Sequence, residues 1–262
     1  MTVVKAKKRL GQHFLKDKNV AARIAQSVTG SGYDNVIEVG PGMGILTRFL
    51  MERNFSRFVA AEIDRESVDY LRNNFGQNLE LIEGDFLRLD LDKIFPGNFA
   101  IAGNFPYNIS SQIFFRALEH RDKVVEVTGM IQKEVADRIH SGPGSRQYGI
   151  LSVLLQAWFT TEILFTVPPH LFIPPPKVNS AVIRLRRNDT VKLDCDEVLF
   201  FRVVKAAFNQ RRKTLRNSLG AVFPFEGTES PLLSMRAEQL PVSAFVELTN
   251  MIKNRIGNGK ME

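Results

Sequence analysis

Short apolar runs alternate with amphipathic segments through about the first two-thirds of the chain. The runs are rich in β-branched residues, which is typical of strands, and helix-like stretches separate the early ones. Alternation of this kind predicts a parallel, doubly wound α/β sheet. Strands are predicted at residues 36–39, 58–63, 79–82, 99–102, 124–130, 163–167 and 181–185, and helices at 45–52, 65–74 and 111–119.

The pattern changes toward the C-terminus. The strands predicted at 163–167 and 181–185 follow one another without a long helix, so we expect an antiparallel strand at the edge of the sheet. Residues 188–190 have the composition of a linker, and the remaining residues show helical spacing of Leu, Val and Phe. The sequence therefore predicts two domains, an α/β domain at 1–187 and a small all-helical domain at 188–262.

The charge balance bears on the partners of the protein. The chain has 262 residues, with 35 Lys and Arg against 28 Asp and Glu, which gives a net charge of +7. A basic surface favours polyanions, because each neutralised phosphate releases counterions. An ordinary basic enzyme has the same composition, so charge alone leaves both interpretations open.

Several features that the sequence lacks bear on where the protein is located and on whether it binds a metal. The single cysteine, Cys195, excludes an intrachain disulfide, as is typical of a reducing cytosol. No apolar stretch has the length of a signal peptide behind the basic N-terminus, and no apolar run is long enough to span a bilayer. His120, His140 and His170 lack metal-ligand spacing. We therefore expect a cytoplasmic protein that binds no metal and does not enter a membrane.

A glycine-rich turn follows the first predicted strand, with Gly40, Gly42 and Gly44 at alternate positions. Glycines there let the backbone turn sharply and approach a ligand closely. A dinucleotide fingerprint would need its third glycine at position 45, which is Ile45. The turn is therefore predicted to hold a nucleoside with an amino-acid tail. A tight strand-to-helix turn without a ligand is the alternative.

Two acidic residues follow the next predicted strands. Glu62 ends the second strand and is positioned to accept hydrogen bonds from both ribose hydroxyls, while Asp85 follows the third and can accept from an adenine amino group. In a doubly wound sheet the carboxyl ends of these strands line one crevice. The glycine turn, Glu62 and Asp85 together predict a nucleoside-binding cleft.

The fourth predicted strand runs into Asn104, Phe105, Pro106 and Tyr107. An adenine amino nitrogen is a poor nucleophile, because its lone pair is delocalised into the ring. Two oxygen acceptors, the Asn104 side chain and a backbone carbonyl near Pro106, would hold both amino hydrogens and aim the lone pair at a methyl donor. Tyr107 offers a ring on which the base can stack. This motif predicts methylation of an adenine amino group.

The sequence resembles the small-subunit ribosomal RNA adenine dimethyltransferase (KsgA) family over nearly its whole length. The matching stretches are 11–15, 40–44, 104–110, 132–136, 148–153, 174–182 and 210–217. The resemblance implies a Rossmann-like fold that uses S-adenosylmethionine and dimethylates two adjacent adenosines in the rRNA of an assembling small subunit. We also expect a monomer, although neither the residues nor their spacing bear on the oligomeric state.

The resemblance assigns roles to individual residues. The target adenine would be cradled by Asn104, Pro106 and Tyr107. Two positions depart from the family pattern: many relatives have asparagine in place of His13, and Phe105 stands where leucine is frequent, a change from which we expect little consequence. S-adenosylmethionine would be contacted by His13, Leu15, Gly40, Glu62, Asp85 and Asn104.

Phe172 is a second candidate for stacking on the target base. Prolines on both sides restrict its loop to extended conformations, which would hold an exposed ring in place. A base taken out of its stack would then lie against two rings. A core aromatic residue on a rigid loop is the alternative.

Residues 201–219 are predicted as a helix with a polar, mostly basic stripe beside an apolar face of Val204, Phe208, Leu215 and Leu219. The stripe would face RNA phosphates, unless the helix breaks near Asn209 or the charges are merely solvated. Residues 5–9 form a second basic patch, and residues 141–145 form either a lid or an ordinary loop. The stripe consists of Arg202, Lys205, Asn209, Arg212 and Arg216.

Three alternative functions share parts of this pattern. A large-subunit rRNA adenine methyltransferase of the antibiotic-resistance type has the same glycine turn and asparagine motif, but stretches 174–182 and 210–217 favour the small-subunit group. A DNA adenine methyltransferase is a weaker alternative. A ribosome-assembly factor whose binding outweighs its catalysis belongs to a different class.

Overall fold

The structure is a computed structural model that describes residues 4–223 and 229–258. The chain divides into two compact units, of which the first is Met1–Ala136 with Thr161–Arg187 and the second is Asp137–Thr160 with Asn188–Glu262. The division after Arg187 coincides with the boundary predicted from the sequence. Residues 137–160, predicted to lie in the first domain, belong to the second unit, because the buried helix Ile150–Gln156 packs on helix Glu197–Asn209.

A seven-stranded sheet forms among the described residues, in the order β4-β3-β2-β5-β6-β9-β7. Its strands are β2 (Asn35–Val39), β3 (Arg57–Glu62), β4 (Glu80–Glu83), β5 (Phe99–Asn104), β6 (Val124–Gln132), β7 (Phe159–Val167) and β9 (Ser180–Arg187). Two further strands, β1 (Phe14–Leu15) and β8 (Phe172–Ile173), form a separate antiparallel pair.

The strand directions confirm the predicted parallel α/β sheet. β2 is parallel to β3 and β5, β3 to β4, and β5 to β6, while β9 is antiparallel to β6. One detail differs from the prediction, since β9 lies one strand in from the edge that β7 forms. In the sheet β3 lies on one side of β2, and β5 lies on the other side. This reversal creates a crevice at the carboxyl ends of β2 and β5.

Helices of the first unit cover the sheet and close its core. They are α1 (Lys18–Ser27), α2 (Ile45–Met51), α3 (Arg65–Phe75), α4 (Leu91–Ile94) and α5 (Ser110–Glu119), and α6 (Lys133–His140) follows β6. The helices bury one apolar side; α1, for example, buries Ala21, Ile24 and Ala25, and its first turn is capped by the Asp17 carboxylate, which accepts from the Val20 N–H. The core thereby holds the carboxyl ends of the parallel strands in fixed positions.

The second unit is mainly helical, with α7 (Ile150–Gln156), α8 (Glu197–Asn209), α9 (Leu215–Gly220) and α10 (Val242–Asn258). Two possibilities were left open for residues 201–219, a continuous helix or a break near Asn209, and the structure has the break: α8 ends at Asn209 and α9 begins at Leu215. The turn between them is held by Arg211, whose guanidinium donates to the carbonyls of Arg146 and Tyr148 at 2.7 and 3.0 Å. The predicted basic stripe is therefore interrupted.

The apolar face predicted for residues 201–219 is present despite the break. Val204, Phe208, Leu215 and Leu219 are all buried. Phe208 also stacks on Phe245 of α10, with ring centroids 5.9 Å apart. The apolar periodicity therefore predicted burial correctly, although it did not predict where the helix ends.

Phe105 packs against the backbone of β6 directly beside the predicted base-binding motif. Its side chain is 1% exposed. A Cβ atom added to Gly129 would lie only 2.3 Å from the nearest carbon of the Phe105 ring. Gly129 pairs with Gly103 of β5. The absence of a side chain at position 129 thus leaves room for the phenylalanine at position 105.

We expect Gly129→Ala to destabilise the protein by about 1–3 kcal/mol, because the new methyl group overlaps the Phe105 ring. In Gly129→Ala/Phe105→Leu the smaller side chain relieves this overlap, so the double variant should lose less stability than the sum of the two single variants. Denaturant unfolding of all four proteins measures this coupling. Purely additive losses would contradict the proposed packing.

Candidate active site

A cleft of about 260 Å³ lies at the carboxyl ends of β2, β3, β4 and β5. A neighbouring cavity of about 30 Å³ shares Gly40 and Asn104 with it and is also lined by Leu15. Phe172 is found in neither lining. Seven residues predicted from the sequence line the cleft together: His13, Gly40, Glu62, Asp85, Asn104, Pro106 and Tyr107.

The glycine turn and Glu62 support each other. Gly40, Gly42 and Gly44 all have positive φ angles, of 69°, 57° and 75°, which disfavour other residues. The buried Glu62 carboxylate accepts the N–H of Gly42 at 3.0 Å and that of Asp64 at 2.9 Å. A carboxylate has further lone pairs, so Glu62 can fix the turn and still accept from a ligand. Burial raises the pKa of Glu62.

Glu38 is a second buried acid, which the sequence prediction missed. Its side chain is almost fully buried, and its Oε2 atom has no hydrogen-bond partner. Burial raises its pKa to about 8, the Thr47 hydroxyl acts in the opposite direction, and the negative charge of Glu62 raises it further. Glu38 lines the small cavity together with Leu15. A cationic group in that cavity would favour its ionised form.

Asp85 and two apolar side chains form another wall of the cleft. One Asp85 oxygen accepts the Leu87 N–H at 3.0 Å, and this bond fixes the carboxylate at the start of a short 3₁₀ turn. Phe86 and Ile63 line the same cleft, and Ile63 is 52% exposed. Flat apolar surface next to an acceptor suits a purine ring with an amino group. The signal available in the sequence was an apolar residue, Ile63, between the acids Glu62 and Asp64.

Asn104 ends β5 with its side chain held in a defined direction. Its Nδ2 donates to the backbone carbonyl of His13 at 2.9 Å. A carbonyl can only accept, so the NH₂ end of the amide must face His13, and Oδ1 is the end left for another donor. The N–H of Phe105 donates to the Met130 carbonyl at 3.0 Å, which ties the motif to β6.

Pro106 and Tyr107 continue the motif. The Pro106 carbonyl accepts the Ile109 N–H at 3.1 Å, which leaves one lone pair for a base. The half-buried Tyr107 has its hydroxyl 2.5 Å from the Ser180 hydroxyl, and burial raises its pKa. Its ring centroid lies 5.1 Å from that of His13. Ser180 was not singled out in the sequence, since its contact depends on the antiparallel strand β9.

Phe172 does not present an exposed ring in this structure. The side chain is 1% exposed and packs in an apolar cluster with Leu15 and Val182. Successive residues of a strand point to opposite sides, and on β8 Phe172 points inward whereas Ile173 is 56% exposed. The expectation of a preformed second stacking ring is therefore corrected: stacking by Phe172 would require its loop to move.

Two segments considered in the sequence analysis, residues 5–9 and 141–145, make contacts within the protein. Lys7, counted in the basic patch at 5–9, forms ion pairs with Asp64 and Glu66. The loop at 141–145 is hydrogen-bonded within the second unit, where the Gly144 N–H donates to the Glu238 carbonyl at 2.7 Å. These bonds favour an ordered loop over a lid.

Within residues 4–223 and 229–258, no helix has the length and apolarity needed to cross a bilayer. The same residues contain no group of three or more His, Cys, Asp or Glu side chains arranged to hold a metal ion. The expectation that the protein binds no metal stays a prediction.

A family model described as Ribosomal RNA adenine dimethylase matches residues 3–254. Two similar relatives are named Ribosomal RNA small subunit methyltransferase A. The relative from Phocaeicola vulgatus is 54% identical, with 98% of this chain and 93% of that protein covered. The relative from Bacteroides thetaiotaomicron is 56% identical, with 98% and 97% covered.

Solved structures with the same fold include two transferases. A dimethyladenosine transferase from Plasmodium falciparum has a TM-score of 0.77 at 23% identity and covers 92% of this chain and 98% of its own. The 23S rRNA methyltransferase ErmE has a TM-score of 0.67 at 27% identity, with 90% and 99% covered. These likenesses confirm the predicted methyltransferase sheet with a helical C-terminal region.

The raised pKa of Glu38 predicts a pH-dependent stability. Its pKa is about 8 in the folded protein against an ordinary 4.5, so between these values the unfolded chain releases a proton that the folded chain keeps. Glu38 therefore does not reduce the free energy of unfolding below pH 4.5. As the pH rises from 4.5 toward 8, the free energy of unfolding falls. Glu38→Gln removes this loss, so the melting temperature of the variant minus that of the parent should increase from pH 5 to pH 8.

Thermal melts of the ligand-free protein at about pH 5, 6.5 and 8 check this trend. Glu52→Gln, which changes an exposed glutamate at the end of α2, is the matched control and should give a flat difference. A flat difference for Glu38→Gln as well would contradict the assignment.

Proposed function

We propose that this chain, which belongs to the ribosomal RNA adenine dimethylase family, dimethylates two adjacent adenosines of small-subunit ribosomal RNA. S-adenosylmethionine is the methyl donor. Relatives named Ribosomal RNA small subunit methyltransferase A, 54% and 56% identical over 98% of the chain, support this substrate. The likeness to the large-subunit enzyme is weaker, at 27% identity. The reaction belongs to small-subunit biogenesis.

The orientation of the Asn104 amide carries the chemical part of the proposal. Its NH₂ end is bound to the His13 carbonyl, which leaves Oδ1 as an acceptor for one hydrogen of the target amino group. A carbonyl at Pro106 accepts the other hydrogen. With both hydrogens held in the first transfer, the nitrogen becomes pyramidal, and its lone pair is aimed in one direction. In the second transfer the methylated nitrogen has one hydrogen left, which one of the two acceptors holds. Preorganised acceptors of this kind lower the barrier without a strong base.

Tyr107 holds the target base. An adenine that reacts at its amino group must leave any base stack, and the aromatic face of Tyr107 replaces part of the lost stacking. The contact between the Tyr107 and Ser180 hydroxyls fixes the position of the hydroxyl end of this ring. Phe172 would add a second ring if its loop opens on binding.

The cleft offers groups that match each part of S-adenosylmethionine. Glu62 accepts from the ribose hydroxyls, Asp85 accepts from the adenine amino group, and the turn at Gly40 permits a close approach of backbone to ligand. Leu15 and the Glu38 carboxyl line the small cavity, which suits the ammonium group of an amino-acid tail. When bound, the sulfonium supplies an electrophilic methyl group. His13 and Asn104 complete this set.

The second unit is the rRNA-recognition domain in this proposal. It exposes Arg202 and Lys205 on α8, Arg212 in the following turn and Arg216 on α9. Each phosphate that such a side chain neutralises releases counterions, which favours binding at low salt. The partner is rRNA within an assembling small subunit, and the enzyme acts as a cytoplasmic monomer.

Asn104→Ala should reduce incorporation of labelled methyl groups by at least about 100-fold, because one of the two acceptors for the amino hydrogens is lost. The melting temperature should stay close to that of the parent. Asn98→Ala, which changes an asparagine at the opposite end of β5, is the matched control and should keep its activity. Full activity of Asn104→Ala would remove this residue from the mechanism.

Parallel labelling of isolated immature small and large subunits tests the substrate. We expect two methyl groups on each of two neighbouring adenosines of the small subunit and no label on the large subunit or on DNA. Labelling of the large subunit alone would overturn the assignment in favour of the antibiotic-resistance type of enzyme. If a catalytically blocked variant is harmless and a deletion impairs maturation, binding outweighs catalysis.

A further inference from the structure

The direction of the Asn104 side chain depends on a segment far away in sequence. Residues 7–13, here called the N-terminal strap, pass along the cleft, and Leu10, Gly11, Gln12 and His13 all line it. The His13 carbonyl of this strap receives the Asn104 NH₂ group. A displaced strap would leave that group without its acceptor and free the amide to rotate.

One end of the N-terminal strap is fixed by strand pairing. The strap runs directly into β1, where Phe14 pairs with Ile173 and Leu15 with Phe172 of β8. The His13 ring adds a contact of 2.7 Å between its Nδ1 and the Pro174 carbonyl. Asn108 attaches the middle of the strap by donating to the Arg9 carbonyl at 3.2 Å.

The other end is fixed by charge, on the opposite side of the cleft. Lys7 pairs with Asp64, which lies just beyond the end of β3 and whose side chain is 1% exposed, and with Glu66 at 3.1 Å. Gln12 donates to the second Asp64 oxygen at 3.3 Å and accepts the Lys7 N–H at 2.8 Å. The strap is thus anchored at the β3 end by Lys7 and at the β5 end by Asn108 and β1.

The charges of this anchor are stable at neutral pH. Burial alone would raise the pKa of Asp64, but its contacts with Lys7 and Gln12 outweigh burial and lower it. Hydrogen bonds to Asp64 and Glu66 raise the pKa of Lys7. Both groups therefore stay ionised, and the Lys7 charge is paired with two carboxylates of the protein.

We propose that Lys7 is a positioning residue for methyl transfer: through the N-terminal strap it keeps the His13 carbonyl against Asn104, so that Oδ1 of Asn104 faces the target amino group. This inference rests on the proposed function, since it needs Asn104 to accept from the substrate. The proposed role of Lys7 differs from a role of residues 5–9 in RNA binding. A role in RNA binding would change the affinity for RNA and not the rate of methyl transfer in the bound complex.

Three variants separate these roles: Lys7→Met removes the charge and keeps the length, Lys7→Arg restores the ion pair, and Lys18→Met removes an exposed charge at the start of α1. The rate of a single turnover is measured on immature small subunits with both substrates saturating. The KM for the subunit and the Kd for S-adenosylhomocysteine are measured alongside.

Lys7→Met should slow the saturated single turnover by about 10-fold, because a small misalignment of an acceptor is costly, while the KM for the subunit changes by less than about twofold. Lys7→Arg should recover most of the rate, and Lys18→Met should react like the parent. A full rate for Lys7→Met, or a loss confined to either binding constant, would overturn the inference. A parent protein that fails to label small subunits would instead overturn the proposed function.

Discussion

The site depends on one hydrogen bond between distant parts of the chain, from the Asn104 NH₂ group to the His13 carbonyl. An amide side chain is nearly symmetric in shape but has a donor at one end and an acceptor at the other. A partner that can only accept decides which end faces the cleft. The sheet places Asn104 at the end of β5, but the β1–β8 pair and the N-terminal strap determine what its side chain can do.

Buried carboxyl groups impose the second constraint. Glu38 near the end of β2 and Glu62 at the end of β3 lie on neighbouring strands, and burial raises the pKa of each. Glu62 is stabilised by two backbone N–H groups, whereas one oxygen of Glu38 has no partner. An unsatisfied buried acid costs stability in the ligand-free protein. That cost is reasonable where a cationic ligand is to be bound, because the ligand then supplies the missing partner.

Local patterns in the sequence were sufficient for the sheet but not for every part of the site. Apolar runs predicted strands at 58–63 and 99–102, within two residues of where β3 ends at Glu62 and β5 ends at Asn104. The break after Asn209 depends instead on the contacts of Arg211 with residues 146 and 148, more than 60 residues away in sequence. The burial of Phe172 likewise depends on its pairing with Leu15. Such long-range contacts leave no periodic signal.

The departure at position 13 becomes understandable on the same physical grounds. The contact that directs Asn104 uses the backbone carbonyl of residue 13, which any amino acid supplies. Its side chain is therefore free to differ from the asparagine of many relatives. In this chain the imidazole contacts the Pro174 carbonyl and lies beside the Tyr107 ring, so histidine adds a link between the strap and the base-binding side of the cleft. A changed side chain is thus compatible with an unchanged role for the residue.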